Sequence, residues 1–192
     1  KGSLEKLSSG KRITKASDDA AGLAISKNLE ATTKGLRQAT RNANDGISLV
    51  QTAEGGLNET SNILTRLREL TVQAGSDTIG DSERGFLDKE YQQLTTEVDR
   101  IAQSTTFNGS NLLNGEGEEK DIQVGAFDGE QNRITFDSSS TNATADNIGI
   151  GGTGVSSKDD ALNSMAEIDG AIEMVSGQRA DLGSIQSRLQ ST

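Results

Sequence analysis

The sequence has no histidine, cysteine, proline or tryptophan. Without cysteine there is no disulfide and no thiolate metal site. Without histidine the commonest general base and metal ligand are missing. Aromatic residues make up 3% and hydrophobic residues 31% of the chain, low for a globular enzyme and suited to thin bundles in which each helix buries only a stripe. No run of about 18 apolar residues exists, so nothing in the sequence spans a membrane, and no cleavable signal peptide is visible. The formal net charge of -10 argues against nucleic acid as a partner; solubility is its simplest reading. No nucleophile–base–orienter set can be assembled, so an enzyme, a cofactor site and a metal site are not expected. Length allows one domain, or one domain with tails. The opening Lys1 leads us to expect a piece of a longer chain.

What the chain does have is period. Leu29, Leu36, Ala43, Val50, Leu57 and Leu64 recur every seven residues, and a second row three places on reads Thr32, Ala39, Gly46, Ala53, Thr60 and Leu67. Such paired rows put one apolar stripe on a very long helix, the pattern of a coiled-coil seam with left-handed supercoiling. The helix is expected over residues 19–74, roughly 80 Å at about 1.5 Å per residue. Ser17, Asp18 and Asp19 supply its start. Gly46 lies on the small-residue row, where close packing explains it. The pair Gly55–Gly56 has no such reason and is a candidate bend. Gly75 fits a helix-ending position with φ > 0.

Residues 1–18 read as the end of a terminal segment and a connecting loop. A second helix is expected over 81–103 with the stripe Leu87, Tyr91, Leu94, Val98 and Ile101, antiparallel to the first after a tight turn. Residues 105–137 change rhythm. Ile122 and Val124, then Ile134 and Phe136, alternate with polar residues around Asp128–Gly129, the pattern of a β-hairpin. The Ser/Thr/Asn/Gly-rich stretch 138–156 reads as a short exposed connection. A last helix over 157–192 carries Ala161, Ile168, Val175, Leu182 and Leu189, widened by Met165, Ile172 and Ile185. Arg179 and Gln186 fall where that stripe should be apolar, and the pattern still runs at the last residue. The expected fold is mainly α with a small β part: an elongated, coiled-coil-like antiparallel helical bundle with a β-hairpin region at one end. The rod-like domain comprises 19–137 and 157–192.

Motif-like strings weigh little. Gly149, Gly151 and Gly154 match G-x-G-x-x-G but lack a surrounding βαβ unit. Asn44, Asp45 and Gly46 resemble part of a calcium loop without its later glutamate. Glu116, Glu118, Glu119 and Asp121 read as a solvated loop. Ser8 and Lys11 form S-x-x-K without its companion motifs. Asn58, Asn108 and Asn142 begin N-x-[ST] sequons, which matter only in a glycosylating compartment.

Longer words are more specific. Leu7-Ser-Ser-Gly-Lys-Arg-Ile, followed by Ala16-Ser-Asp-Asp-Ala-Ala-Gly-Leu-Ala-Ile, closely resembles the N-terminal signature of bacterial flagellin. So do Arg41-Asn-Ala-Asn-Asp-Gly-Ile-Ser-Leu-Val-Gln-Thr-Ala-Glu-Gly, Leu67-Arg-Glu-Leu-Thr-Val-Gln and Thr106-Phe-Asn-Gly. Gln178-Arg-Ala-Asp-Leu-Gly-Ser-Ile-Gln-Ser-Arg-Leu is similar to the family's C-terminal block. Only the low-complexity stretch falls outside the match; many flagellins carry a large variable outer domain there. The resemblance implies a self-assembling subunit of the flagellar filament, secreted through the flagellum's own apparatus and extracellular. It implies a filament-core segment without most of the terminal polymerisation helices, monomeric on its own, with other flagellin subunits as partners. A flagellar accessory or hook–filament junction protein, or an unrelated coiled-coil adaptor, is the alternative. The family is also recognised by vertebrate Toll-like receptor 5, and its recognition motif carries over to Arg66, Leu70, Gln73 and Glu90. Arg66, Leu70 and Gln73 share a stripe off the seam, which predicts Leu70 partly outward as an anchor. The competing reading packs Leu70 under the adjacent hairpin and pairs Arg66 with a neighbouring glutamate. The motif departs from many receptor-active relatives at Thr65, where they carry Gln, and from some at Leu94, where they carry Arg.

Overall fold

A computed structural model describes Gly10 and residues 19–192. The readings placed on 1–18, apart from Gly10, lie outside the described residues. Helix α1 spans Ala20–Ala74, α2 Asp81–Ser104 and α3 Lys158–Gln190. Between α2 and α3 stand two antiparallel hairpins, β1 (Thr106–Phe107) with β2 (Ser110–Asn111), and β3 (Glu119–Gln123) with β4 (Arg133–Asp137). In the second, Glu119 faces Asp137 and Ile122 faces Ile134. A single 3₁₀ turn at Glu130–Asn132 leads into β4.

α1 begins where Asp19 accepts the Gly22 N–H at 2.9 Å, satisfying one orphan donor of the first turn. It then runs unbroken for 55 residues, through Gly55 and Gly56. Gly56 has a packing reason after all. A Cβ there would stand 2.6 Å from Leu113 Cδ1 and 2.7 Å from Thr105 Oγ1, where the end of α2 and the following loop lean on α1. Gly46 serves the same purpose lower down, under Ile122 of β3 and Leu189 of α3.

The end of α1 differs from the sequence reading. Gly75 has φ -71°, not a positive value, and its N–H bonds Thr71 O at 2.9 Å. The free carbonyls beyond are met by a side chain instead. Buried Arg84, from the first turn of α2, donates through Nε to Ala74 O and through Nη2 to Ser76 O, each at 2.8 Å. Its Nη1 bonds Asp81 at 2.8 Å. A guanidinium that caps a helix terminus and pins the turn removes the need for a left-handed residue.

α2 and α3 both lie antiparallel to α1, on different sides of it. The register of α3 is marked by ion pairs, from Lys158 to Asp77 in the α1–α2 turn at 2.8 Å, and across the helices from Arg68 to Asp169 at 2.7 Å and, more loosely, Arg179 to Glu54 at 4.0 Å. The N-terminus of α3 is capped by Ser157, which accepts from Asp160 N. One core runs along the molecule from Ala43 of α1 onward. It joins Val50, Leu57, Leu64 and Leu67 of α1, Tyr91 and Val98 of α2, Leu112, Leu113 and Phe136 of the hairpin region, and Ile168, Val175 and Leu182 of α3. The hairpins stand where α2 stops and cover the middle of α1, so α1 has flanking partners there and along its C-terminal half. Its first turns differ: Ile25 and Leu29 are 61% and 62% exposed, and Leu36 is 50% exposed. Leu29 faces outward because no helix lies beside it among the described residues, whereas Leu36 is half exposed where Val124 and the last turn of α3 come alongside.

Residues 138–156 are not an exposed connection. Ser138, Thr141, Ala143, Ala145, Ile148, Ile150 and Val155 are buried. Two carboxylates of α2, Asp99 and Asp88, accept the Ala145 and Val155 N–H groups at 2.7 and 2.8 Å. Ser164 of α3 bonds both backbone groups of Gly154. Polar side chains of this stretch spend themselves on local turns, while every few residues a small apolar one reaches the core.

Candidate recognition surface

Along its C-terminal half α1 lies between α2 and α3, so it buries two sides and presents a narrow outer strip. Arg66, Glu69, Val72 and Gln73 lie on that strip and are exposed. Arg66 reaches across to α2: Nε and Nη2 contact Glu90 Oε1 at 2.9 and 2.8 Å, and Nη1 bonds Glu69 Oε2 at 2.9 Å. Hydrogen bonds donated to Glu69 first, and to Glu90 second, hold the guanidinium above its ordinary pKa. The three side chains are all substantially open to solvent, so the network orients groups more than it stabilises the fold.

The structure brings Arg66, Gln73 and Glu90 to one face and removes Leu70 from it. Leu70 is 0% exposed and belongs to the core. The expectation of a partly outward Leu70 is thus overturned. A narrow two-row seam suits a helix with one partner; α1 here has two, and its buried arc widens to include Leu70, Thr71 and Ala74. The residue that does stand out is Val72, 55% exposed, beside Thr65, Arg68, Glu69, Gln73 and Ile172 in a shallow open groove between α1 and α3. Its signal was in the sequence: a β-branched apolar residue that fits neither seam row.

This face offers carboxylate and amide acceptors, a paired guanidinium and a small apolar floor, with no nucleophile and no base. Among the described residues no group of three or more His, Cys, Asp or Glu side chains is arranged to hold a metal, and no helix is long and apolar enough to cross a membrane. Gly149, Gly151 and Gly154 lie in the docked 138–156 stretch, and Asn44, Asp45 and Gly46 are part of α1.

A family model described as the bacterial flagellin N-terminal helical region matches residues 1–118. The flagellin of Halalkalibacterium halodurans is 42% identical over 189 residues, 98% of this chain and 69% of that one. The crystal structure of Bacillus cereus flagellin superposes with a TM-score of 0.70 at 32% identity, covering 79% of this chain and 85% of that one. The structure of a putative flagellar hook-associated protein from Vibrio parahaemolyticus gives a TM-score of 0.72, covering 92% of this chain and 91% of that one, but at 18% identity it shows the fold alone. With the family's helical region matched over more than half its length and a relative of this identity aligned almost end to end, the chain belongs to the bacterial flagellin family.

Proposed function

We propose that this chain is a structural subunit of a bacterial flagellar filament that packs against further flagellin copies outside the cell, and that vertebrate Toll-like receptor 5 grips its α1–α2 face. The observation that carries the assembly reading is the seam that outruns its partners. Leu29 and Leu36 continue a seven-residue repeat whose next members, Ala43, Val50, Leu57 and Leu64, are all buried, yet Leu29 is open to solvent and Leu36, at the edge of the α3 contact, is half open. The exposed part of the seam is a single stripe of Ile25, Leu29 and half of Leu36, and on this reading the chain alone is monomeric. In a flagellin long enough to polymerise, Leu29→Glu with Leu36→Glu stops filament growth, read by sedimentation and electron microscopy, while the helical melting of the isolated subunit is unchanged. Filaments of ordinary length from that variant would sink the assembly reading. Stable filaments from this 192-residue chain would sink the monomer reading.

For the receptor, the supporting feature is the Arg66–Glu69–Glu90 network beside exposed Gln73. Arg66 supplies the planar fork and Glu90 the acceptor, while Leu70 supports the strip from behind. Binding of the receptor ectodomain, measured with Arg66→Ala and Glu90→Ala, weakens in both; unchanged affinity in both rules this surface out.

A further inference from the structure

The geometry points to Asn108–Gly109, at the tip of the first hairpin, as a site of spontaneous deamidation that converts Asn108 into aspartate and isoaspartate. The sequence holds two Asn-Gly pairs, Asn108–Gly109 and Asn114–Gly115, six residues apart in the same region. Their chemistry as dipeptides is identical: a glycine N–H unshielded by any side chain, next to a primary amide carbon. The fold treats them differently.

Asn108 has φ 49° and Gly109 φ 77°, the left-handed pair of a two-residue hairpin turn, and Asn108 is the one non-glycine residue with positive φ among the described residues. Both residues are exposed. The Asn108 side chain makes no hydrogen bond among the described residues, and the space beside Gly109 is open. The hairpin that holds them pairs only Thr106 with Asn111 and Phe107 with Ser110, and so short a ladder opens readily. Asn114 is held at both ends of its amide. Its oxygen accepts the Glu116 N–H at 3.1 Å and its nitrogen donates to Glu116 Oε2 at 3.0 Å. The neighbouring Gly115 is crowded, since a Cβ there would stand 2.4 Å from Asn142 Nδ2.

The reaction follows from those positions. When the turn opens, hydroxide takes the proton of Gly109 N, and that nitrogen attacks Asn108 Cγ. The new C–N bond closes a succinimide, the Cγ–Nδ2 bond breaks, and ammonia leaves. Water then opens the ring. Attack at Cγ gives aspartate with the backbone intact. Attack at the main-chain carbonyl breaks its bond to Gly109 N and leaves an α-carboxylate with the chain running through Cγ, which is isoaspartate. The balance is one amide and one water in, one carboxylate and one ammonium out. Isoaspartate adds a methylene to a turn built for two residues, so it breaks the pairing of β1 with β2.

The test is incubation of the intact chain at neutral and mildly alkaline pH. Peptide mapping by mass spectrometry, with fragmentation that separates aspartate from isoaspartate, then compares the two sites. Product accumulates at Asn108 several-fold faster than at Asn114, faster at the higher pH, and the two rates converge in strong denaturant. Glu116→Ala removes the acceptor of the Asn114 amide nitrogen while the backbone N–H of residue 116 still holds its oxygen, and it raises the rate at Asn114 part of the way toward that of Asn108 without altering the rate at Asn108. Equal rates at the two sites in the folded chain, a faster Asn114, or no response to Glu116→Ala overturns the inference.

Discussion

Leu70→Ala and Arg66→Ala, read side by side, separate a residue that supports the recognition face from one that forms it. Leu70 is fully buried in a core shared with Leu67, Ala74 and Tyr91. Truncating such a leucine costs the transfer free energy of the lost methyl groups plus a cavity term, about 2–5 kcal/mol. A domain of this size has only about 5–15 kcal/mol in hand. At about 1.4 kcal/mol per tenfold, the unfolded fraction rises by a factor of roughly 30 or more. A urea titration followed by helical circular dichroism therefore shows a clearly lowered midpoint for Leu70→Ala. Arg66→Ala, whose ion pairs are solvated, leaves the midpoint nearly where it was. Receptor binding measured well below the transition separates the roles further: Arg66→Ala loses affinity at full helicity, and Leu70→Ala loses it in step with loss of native structure. A Leu70→Ala chain with an unchanged midpoint and abolished binding would show that Leu70 touches the receptor directly, and would refute the inward placement.

Asp99→Ala leaves the Ala145 N–H buried without its acceptor, a loss of about 1–3 kcal/mol that shows as faster amide exchange confined to 138–156. Gly46→Val drives a side chain into Ile122 and Leu189 and costs about 1–3 kcal/mol by overpacking, visible as a lowered urea midpoint. The pH profile follows from which groups are shifted. Hydrogen bonds from Lys34 and then Lys27 lower the Glu30 pKa from 4.5 to about 2, and Lys158 lowers that of Asp77. Carboxylates depressed in the folded state stabilise it above the unfolded value, and that contribution is lost as pH falls through the folded one, so the Glu30 contribution fades between 4.5 and about 2, that of Asp77 fades as pH falls below its ordinary value, and both are smaller in high salt. At the alkaline end, burial raises the Tyr91 hydroxyl above its ordinary 10, so the unfolded chain ionises first and stability falls above that pH. With no histidine, thermal stability is flat between about pH 5 and 8, and a step there would contradict the assignment.

The heptad rows made the helices and their seams legible because a repeat of seven can be satisfied in only one way by a rod. From Ala43 to Leu67 the predicted rows are buried or nearly so. What stayed hidden depends on neighbours that a linear pattern does not encode. Leu70 lies inward because α1 has partners on two sides, which no single-helix repeat reveals. Gly75 keeps ordinary helical dihedrals because Arg84, distant enough to look like a surface charge, arrives to cap the carbonyls. The 138–156 stretch read as loose because its composition is that of a loop; its order comes from Asp88 and Asp99 on another helix. Of the candidate face, Arg66, Gln73 and Glu90 were read as neighbours from spacing and resemblance, whereas Val72 was passed over.

The same helix is thus held firmly at one end and barely at the other, and the difference bears on assembly. An isolated helix shorter than about 12–15 residues is marginal in water because its first turn is costly to form. The turns around Ile25 and Leu29 escape that cost. They propagate from a nucleus already fixed by packing between Ala43 and Ala74, and Asp19 caps their free end. Propagation keeps the stripe helical while leaving its leucines wet. A surface already folded loses little conformational freedom when another apolar stripe covers it, so it binds more tightly for the same contact than one that must fold on contact.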